Sequence, residues 1–432
     1  MKFIRLTLLL FAFGHAAMAQ KVNKLIKETE VKRIISTLAA DDMMGRSSLH
    51  PQQIEKATAF IAEEFKKAGL KPLNGLSGYR QEFPITKIDG FEKAEVIING
   101  QVLTKDKYIF MSDKEEVNWT SNIPVVIVGK EDTFTPNQFM NDSTSKIVLV
   151  DAAHEGKLAG LKRFFGRTRL LAKPYPKIAG NILFVVGFSS ADSYSVKIKQ
   201  RKEAFKMANV VGIIPGKSKP DEMVVFSGHY DHLGIIKSVE GDSIANGADD
   251  DASGTTAVIA LANYFKKLKN NERTIVFAAF TAEEIGGFGS KYFSEQLNPD
   301  KVVAMFNIEM IGKASKWGIN SAFITGFERS DFGAILQKNL KGTAFTFNPD
   351  PYPQQNLFYR SDNATLARLG VPAHTISTDQ IDSDKLYHSV NDEVESLDIQ
   401  NILATIRAIA LSSQSIIAGT DTPTRIDKST VK

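Results

Sequence analysis

Five short segments of the sequence concentrate carboxylates and imidazoles, the side chains that move protons and hold metal ions. Gly228-His229-Tyr230-Asp231-His232 comes straight after the apolar run Met223–Ser227. Gly247–Gly254 reads GADDDASG, three consecutive aspartates between glycines that permit a tight backbone. Thr281-Ala282-Glu283-Glu284 follows the apolar run Thr274–Phe280, Glu309 follows Val302–Ile308, and Tyr387-His388 lies in a polar stretch. Taken singly, each has an ordinary explanation. A histidine after a strand is most often a packed residue, and paired glutamates are a surface feature. Three aspartates suit a solvated turn or a helix N-cap, a part that fits Asp251. The conjunction is different, because Glu283-Glu284 follow a run too apolar for a surface strand.

Gathered in one cleft, Asp250, Glu283, Glu284 and Glu309 would repel one another severely, and burying unpartnered carboxylates is prohibitive. No run of Lys or Arg lies nearby in sequence to neutralise them. One divalent cation, or two, would turn that repulsion into coordination. His229 and His388 then complete a nitrogen–oxygen donor set of the kind that suits zinc. The chain has no cysteine, which removes disulfides, thiolate nucleophiles, iron–sulfur clusters and cysteine zinc sites together. A metal must rest on His, Asp and Glu, and there are seven histidines. His50 precedes Pro51 at a helix start, His154 falls in a β-rich stretch, and His374 in an apolar strand. His232, three residues after His229, is the one competitor for a ligand position.

These segments need a scaffold that brings residues 229 to 388 together. After Arg201, apolar strands (Met223–Ser227, Thr274–Phe280, Val302–Ile308, Val371–Ile376) alternate with helical patterns at Thr255–Leu268 and Ile399–Ile417. That alternation predicts an α/β sheet covered on both faces, and in such sheets ligands bind just beyond the carboxyl ends of the strands. Upstream, Ile54, Ala57, Ile61, Phe65 and Ala68 recur at helical spacing between Pro51 and a stop at Gly69. From about Phe83 to Ile198 the texture changes to short β-rich runs, at Ala94–Ile98, Ile123–Val128, Lys146–Val150 and Asn181–Val186. They predict a small β-rich insertion, in which Lys162–Arg169 (KRFFGRTR) reads as a solvated basic face. The expected divisions are an N-terminal part of the catalytic domain over 20–85, the insertion over 86–200, the main catalytic part over 201–420 and a frayed polar tail over 421–432.

Residues 1–19 are expected to be an export signal, not fold. Lys2 and Arg5 precede the apolar run Leu6–Phe13, and Ala17-Met18-Ala19 offers small residues for cleavage before Gln20. The run is far short of the ~20 residues a membrane span needs. With 43% hydrophobic and 24% charged residues, the rest reads as an ordinary core-forming chain, exported to the periplasm or secreted, without stable membrane insertion. A net charge of +4, partly contributed by the leader, is too mild to argue for a nucleic-acid partner.

The ordered set Gly228–Asp231, Gly247–Gly254, Ala282-Glu283-Glu284 with Gly289-Ser290, Asn307–Met310 and Tyr387-His388 resembles the five ligand segments of the M28 zinc peptidases. Met44-Gly45-Arg46 and Gly69-Leu70-Lys71-Pro72 are similar to that family's N-terminal region. The resemblance implies a three-layer α/β zinc-peptidase fold, a mixed central β-sheet flanked by helices, with the β-rich insertion standing where many relatives carry a protease-associated domain. It also implies two zinc ions per chain. Asp250 would bridge them, His229 and Glu309 completing one site and Glu284 and His388 the other. Glu283 matches the general base, and Asp231 the partner that orients His229. A cis peptide after Asp250 is implied as well. Two positions depart from the family pattern. Glu309 stands where the aminopeptidases usually have aspartate, which bears on second-metal affinity, and Asn363 stands where relatives often have histidine, which bears on the substrate pocket.

The resulting expectation is an exported zinc exopeptidase, an aminopeptidase acting on peptide or protein substrates through a di-metal-held water with Glu283 as base. Glutaminyl cyclase-like and carboxypeptidase-like relatives are the enzymatic alternatives, although the aspartate triplet and the Ala-Glu-Glu pair are in the peptidase form. The non-enzymatic alternative is a metal-stabilised binding protein that uses the basic patch. Glu283 speaks against it, since a pure binding site gains nothing from a non-coordinating carboxylate beside a metal.

Overall fold

The computed structural model describes residues 20–432 apart from 113, 141–142, 167 and 173–179. The expected leader, with His15, and Arg167 of the basic run lie outside the described residues. Two compact units result: the segment up to Phe83 together with Met207–Lys432, and Pro84–Lys206.

The first unit is built on a mixed sheet. Its strands run in the order Thr346–Pro349, Ser321–Ile324, Ala373–Ser377, Val302–Ile308, Lys219–His229, Arg273–Phe280 and the end of Tyr194–Ile214. The four from Ala373–Ser377 to Arg273–Phe280 are parallel, in registers that pair Ile308 with Ile376, Ser227 with Asn307 and His229 with Phe280. Their neighbours on either side, Ser321–Ile324 and Tyr194–Ile214, are antiparallel to them. Every residue of Arg273–Phe280 and Val302–Ile308 is buried, which explains the continuous apolar runs: a strand covered on both faces has no polar alternation.

Alternate residues feed two cores. Val224, Phe226, Phe277 and Phe306 face one that includes the helices Glu28–Leu38, Gly254–Leu268 and Ile399–Ser412. Val225, Val276, Phe280 and Met305 face the other, with Phe293, Leu366 and Ile426. Phe226 stacks on Phe306, Phe265 and Phe277 at centroid distances of 4.8, 5.5 and 5.7 Å.

Helix boundaries follow their stop signals. Pro51–Ala68 ends at Gly69 in the left-handed conformation (φ 76°), as the spacing predicts. The closing helix is interrupted at Ser413, giving Ile399–Ser412 and Gln414–Ile417 in place of one continuous element. The tail is not frayed. Ile426 is 3% exposed within the second core, and Arg425 Nη1 donates to the carbonyls of Pro299 and Val302 at 3.1 and 2.8 Å. One buried isoleucine anchors a stretch whose composition is otherwise polar.

The second unit contains a sheet ordered Tyr108–Met111, Ile182–Val186, Lys146–Val150 and Val125–Val128, the last three parallel. Its basic run is not uniformly solvated. Arg169 is 9% exposed, lies 4.5 Å from the Phe165 ring and donates to Gln200 Oε1 at 3.1 Å.

Candidate metal centre at the strand ends

The parallel strands finish at one edge of the sheet, and each exit carries one of the segments singled out above. His229 is the last residue of its strand; Glu283-Glu284 follow Phe280 by three residues, and Glu309 follows Ile308 directly. The aspartate triplet occupies the turn Ala248–Ser253, which enters the helix Gly254–Leu268, and its Asp250–Asp251 peptide is cis. Close approach dictates the framing glycine: a Cβ on Gly254 would stand 2.1 Å from the Ile308 carbonyl oxygen.

Asp250 is the hub. Its Oδ1 lies 3.2 Å from His229 Nε2, and its Oδ2 3.2 Å from His388 Nε2. Glu284 Oε2 is 3.2 Å from that same His388 nitrogen. Candidate ligand atoms of His229, Asp250 and Glu309 all lie within 4.8 Å of one another, as do those of His232, Asp250 and Glu284. One carboxylate is therefore shared by two donor groups, and Glu283 belongs to neither. Neither His229 Nε2 nor His388 Nε2 makes a well-formed hydrogen bond, although each is 3.2 Å from a carboxylate oxygen. Lone pairs that converge without bonding one another are arranged as ligands about a cation. With imidazole and carboxylate donors only, the set fits zinc.

The structure places His232 closer to the centre than its role as an outside competitor suggested. Its Nδ1 is 2.8 Å from Glu284 Oε1 and 3.8 Å from Asp250 Oδ2, with the side chain fully buried. His388 is the more exposed of the two imidazoles, its side chain 35% accessible and its ring stacked on Tyr387 at 3.8 Å. His388 Nε2 touches both carboxylates equally, whereas His232 is hydrogen-bonded to Glu284 alone.

Asp231 is beside His229, at the ring nitrogen that faces away from Asp250. His229 Nδ1 is 3.1 Å from the Asp231 backbone carbonyl and 3.8 Å from its carboxylate. The carboxylate instead accepts the Glu283 N–H at 3.1 Å, tying the two segments together. Glu309 accepts a short hydrogen bond from the Ser361 hydroxyl. Asn363 is buried, donating to the Phe358 carbonyl at 3.1 Å and accepting from Thr375 Oγ1 at 2.9 Å, and Thr375 lines the pocket beside Glu309.

Three supporting residues have partners that the sequence did not show, and one of them, Asp392, was not singled out at all. Arg46 is wholly buried, and its guanidinium donates to the carbonyls of Leu38, Tyr230, Asn246 and Gly247 at 2.5–2.9 Å. No run of Lys or Arg lies near the acids in sequence, and this cation comes from far upstream. Asp392 accepts the N–H groups of Asp249 and Asp250 at 3.0–3.1 Å. Asp251, anticipated as a cap, accepts the Gly254 N–H at 3.0 Å and also those of His229 and Met310 at 3.1 Å, joining three chain segments.

Electrostatics show a centre short of positive charge. Burial pushes the carboxyls of Glu309 and Asp231 up to about 7, and that of Glu283 well above the usual range. Burial alone would raise Asp250 too, but the neighbouring imidazoles hold it well below. Against their own burial, His229 is lifted well above its ordinary range by Asp250, Asp251 and Glu283, and His388 to about 10 by Asp250 and Glu284.

Residues 209–412 match the family model described as Peptidase family M28. A leucine aminopeptidase 1 of Penicillium rubens is 26% identical over 231 residues, which is 50% of this chain and 57% of the relative. A probable zinc metalloprotease of Leptosphaeria maculans is 27% identical over 208 residues, 46% of this chain and 43% of the relative. The chain thus spans about half the length of the curated relatives it matches. Among solved structures, a zinc aminopeptidase from Bacillus subtilis superposes with a TM-score of 0.54 at 16% identity, covering 94% of this chain and 99% of its own.

Proposed function

We propose, from the match of residues 209–412 to the peptidase family M28 model, that this chain is a zinc-dependent aminopeptidase that removes N-terminal residues from peptides or proteins. The observation that carries the reading is the sharing of Asp250 between two donor groups, with an imidazole nitrogen 3.2 Å from each of its oxygens. His229, Asp250 and Glu309 would hold one zinc, and Asp250, Glu284 and His388 a second. His232 serves as the outer partner that steadies Glu284 from its other oxygen. Zinc bound there supplies Lewis acidity toward the scissile carbonyl and toward water.

The remaining work falls to the chain's own residues. Glu283, outside both donor groups, takes the proton of the attacking water and delivers it to the leaving amine. Burial raises its carboxyl above the usual range, which makes it a stronger base than an exposed glutamate. Asp231 fixes the Glu283 main chain, and Ser361 steadies Glu309, whose extra methylene needs such a hold. We place the enzyme outside the cytoplasm on the strength of the leader; no helix among the described residues is long and apolar enough to cross a membrane.

The test is zinc content and aminoacyl-p-nitroanilide hydrolysis by the full chain and two variants. Glu283→Gln should keep its zinc and lose activity by roughly 10²-fold or more. His388→Ala should lose zinc. A Glu283→Gln enzyme within threefold of wild type removes the base assignment, and an unchanged zinc stoichiometry in His388→Ala hands the ligand position to His232.

A further inference from the structure

Three polar side chains stand side by side in the apolar interior of the sheet. Ser227 pairs in register with Asn307, and Asn307 with Thr375, on three adjacent parallel strands. None is more than 3% exposed, and alternation puts them on the face that carries Val225, Met305 and Ala373. A buried polar row costs stability unless every group is answered, and here the answers run in one direction. Asn363 fixes the sense. Its Nδ2 faces the carbonyls of Phe358 at 3.1 Å and Ala373 at 3.4 Å, which only accept, so its Oδ1 is the atom that meets Thr375. The Thr375 hydroxyl donates to that oxygen at 2.9 Å and therefore accepts from Asn307 Nδ2, 3.0 Å away. The same Nδ2 gives its other proton to Ser361 Oγ at 2.6 Å, while Asn307 Oδ1 accepts from Ser227 at 2.7 Å. Ser361 keeps its own proton to donate, and it goes to Glu309 Oε2. Turned round, the Asn307 amide would point oxygen at a threonine hydroxyl whose proton is already spent.

We infer that Asn363, Thr375 and Asn307 form a one-way relay that aims the Ser361 proton at Glu309, and that the relay as a whole sets the zinc affinity of the site made by His229, Asp250 and Glu309. The inference rests on the zinc aminopeptidase reading. A glutamate has one more rotatable bond than an aspartate, so more freedom is lost when it is held as a ligand. A hydroxyl free to rotate would hold it in only some of its orientations; a hydroxyl already accepting from Asn307 has its proton left for the carboxylate. The relay starts at Asn363 because an amide can donate to two carbonyls and accept from a hydroxyl at once. All three are positioning residues, acting on Glu309 through Ser361, as partners of metal-binding carboxylates do.

The test is zinc affinity of the full chain, measured by competition with a chromophoric chelator. Wild type is compared with Ser361→Ala, Thr375→Val, Thr375→Ser and the double variant Ser361→Ala/Thr375→Val. Ser361→Ala and Thr375→Val should each weaken one of the two zinc affinities about tenfold or more and leave the other within about threefold. Thr375→Ser, which keeps the hydroxyl, should stay within threefold of wild type at both. The double variant should match Ser361→Ala within threefold, because the threonine acts only through the serine. Unchanged affinities in Thr375→Val overturn the inference alone. So does a Thr375→Val effect that persists in full on top of Ser361→Ala, or one that weakens both zinc ions alike, since either reports general loosening. A wild-type chain that binds no zinc instead overturns the aminopeptidase reading, and the inference with it.

Discussion

Replacing Arg46 by methionine should cost this protein about 3 kcal/mol. The side chain has no exposed surface, and its guanidinium donates to four backbone carbonyls. Those carbonyls belong to the end of the Glu28–Leu38 helix, to the loop after His229 and to the turn that leads into the aspartate triplet. Methionine keeps most of the stem and none of the donors. The Gly247 carbonyl still accepts the Ala252 N–H at 3.2 Å, so three buried carbonyls are left unpaired, and at about 1 kcal/mol each they give ~3 kcal/mol. The figure agrees with the ~3–5 kcal/mol lost when one partner of a buried charged contact is removed. Against a total of ~5–15 kcal/mol, that is a large fraction. Arg46→Lys keeps the charge on a single nitrogen, which cannot span all four acceptors. Two unpaired carbonyls make its expected loss about 2 kcal/mol.

Urea unfolding of the three metal-free proteins, followed by circular dichroism, orders them as wild type, lysine, methionine in falling midpoint. Zinc retention should fall in the same order, because the segments carrying His229 and Asp250 lose their common tether. A methionine variant within 1 kcal/mol of wild type would refute the reasoning, since water or a neighbouring amide would then be satisfying the carbonyls.

Two further outcomes follow from the fold. Phe226→Ala, which removes the ring stacked between Phe306, Phe265 and Phe277, should cost ~3–5 kcal/mol by the same unfolding measurement, and a loss under 1 kcal/mol would show that the core collapses around the gap. His374, buried between the Thr325 carbonyl and the Ser330 hydroxyl, has its pKa lowered to about 4 by burial. Below about pH 6.5 the unfolded chain gains a proton there that the folded one refuses until about pH 4, so stability falls across that window by up to ~3 kcal/mol. His374→Asn should flatten the fall, and an unchanged pH slope would count against it.

The catalytic scaffold was legible because its strands are buried on both faces, so that Thr274–Phe280 and Val302–Ile308 stand out as unbroken apolar runs with acids at their ends. What stayed hidden acts through single contacts with main chain. Arg46 and Asp392 reach carbonyls and amides of other segments, and such bonds leave no period and no spacing in the sequence. The interruption at Ser413 was invisible for a similar reason, since the apolar pattern runs on to Ile417 without a glycine or proline. The tail misled because composition averages over residues, and Ile426 is one buried contact among polar neighbours. Spacing alone also could not rank His232 against His388, because the difference lies in which carboxylate oxygen each ring meets.

The three adjacent aspartates do not all add to the repulsion at the centre. Their turn is not helical: Asp250 has φ −103° and ψ 97°, Asp251 φ −125° and ψ 45°. Consecutive carboxylates are thereby sent to different partners. Asp249 Oδ1 accepts the Gly312 N–H at 2.7 Å, and Asp251 accepts three N–H groups. Asp250 alone turns its oxygens to the two imidazoles. Backbone amides therefore answer both oxygens of Asp251 and one of Asp249, whose other oxygen lies 3.5 Å from Lys313, and at the shared centre Asp250, Glu284 and Glu309 are the carboxylates that call for a cation. Under the proposed reading, three carboxylates facing two divalent ions leave a net positive centre. That excess is what a developing oxyanion at the scissile carbonyl requires, and a fourth coordinating carboxylate would cancel it. Glu283 is consistent with this count because it stands outside both donor groups, beside the centre without adding to its ligands.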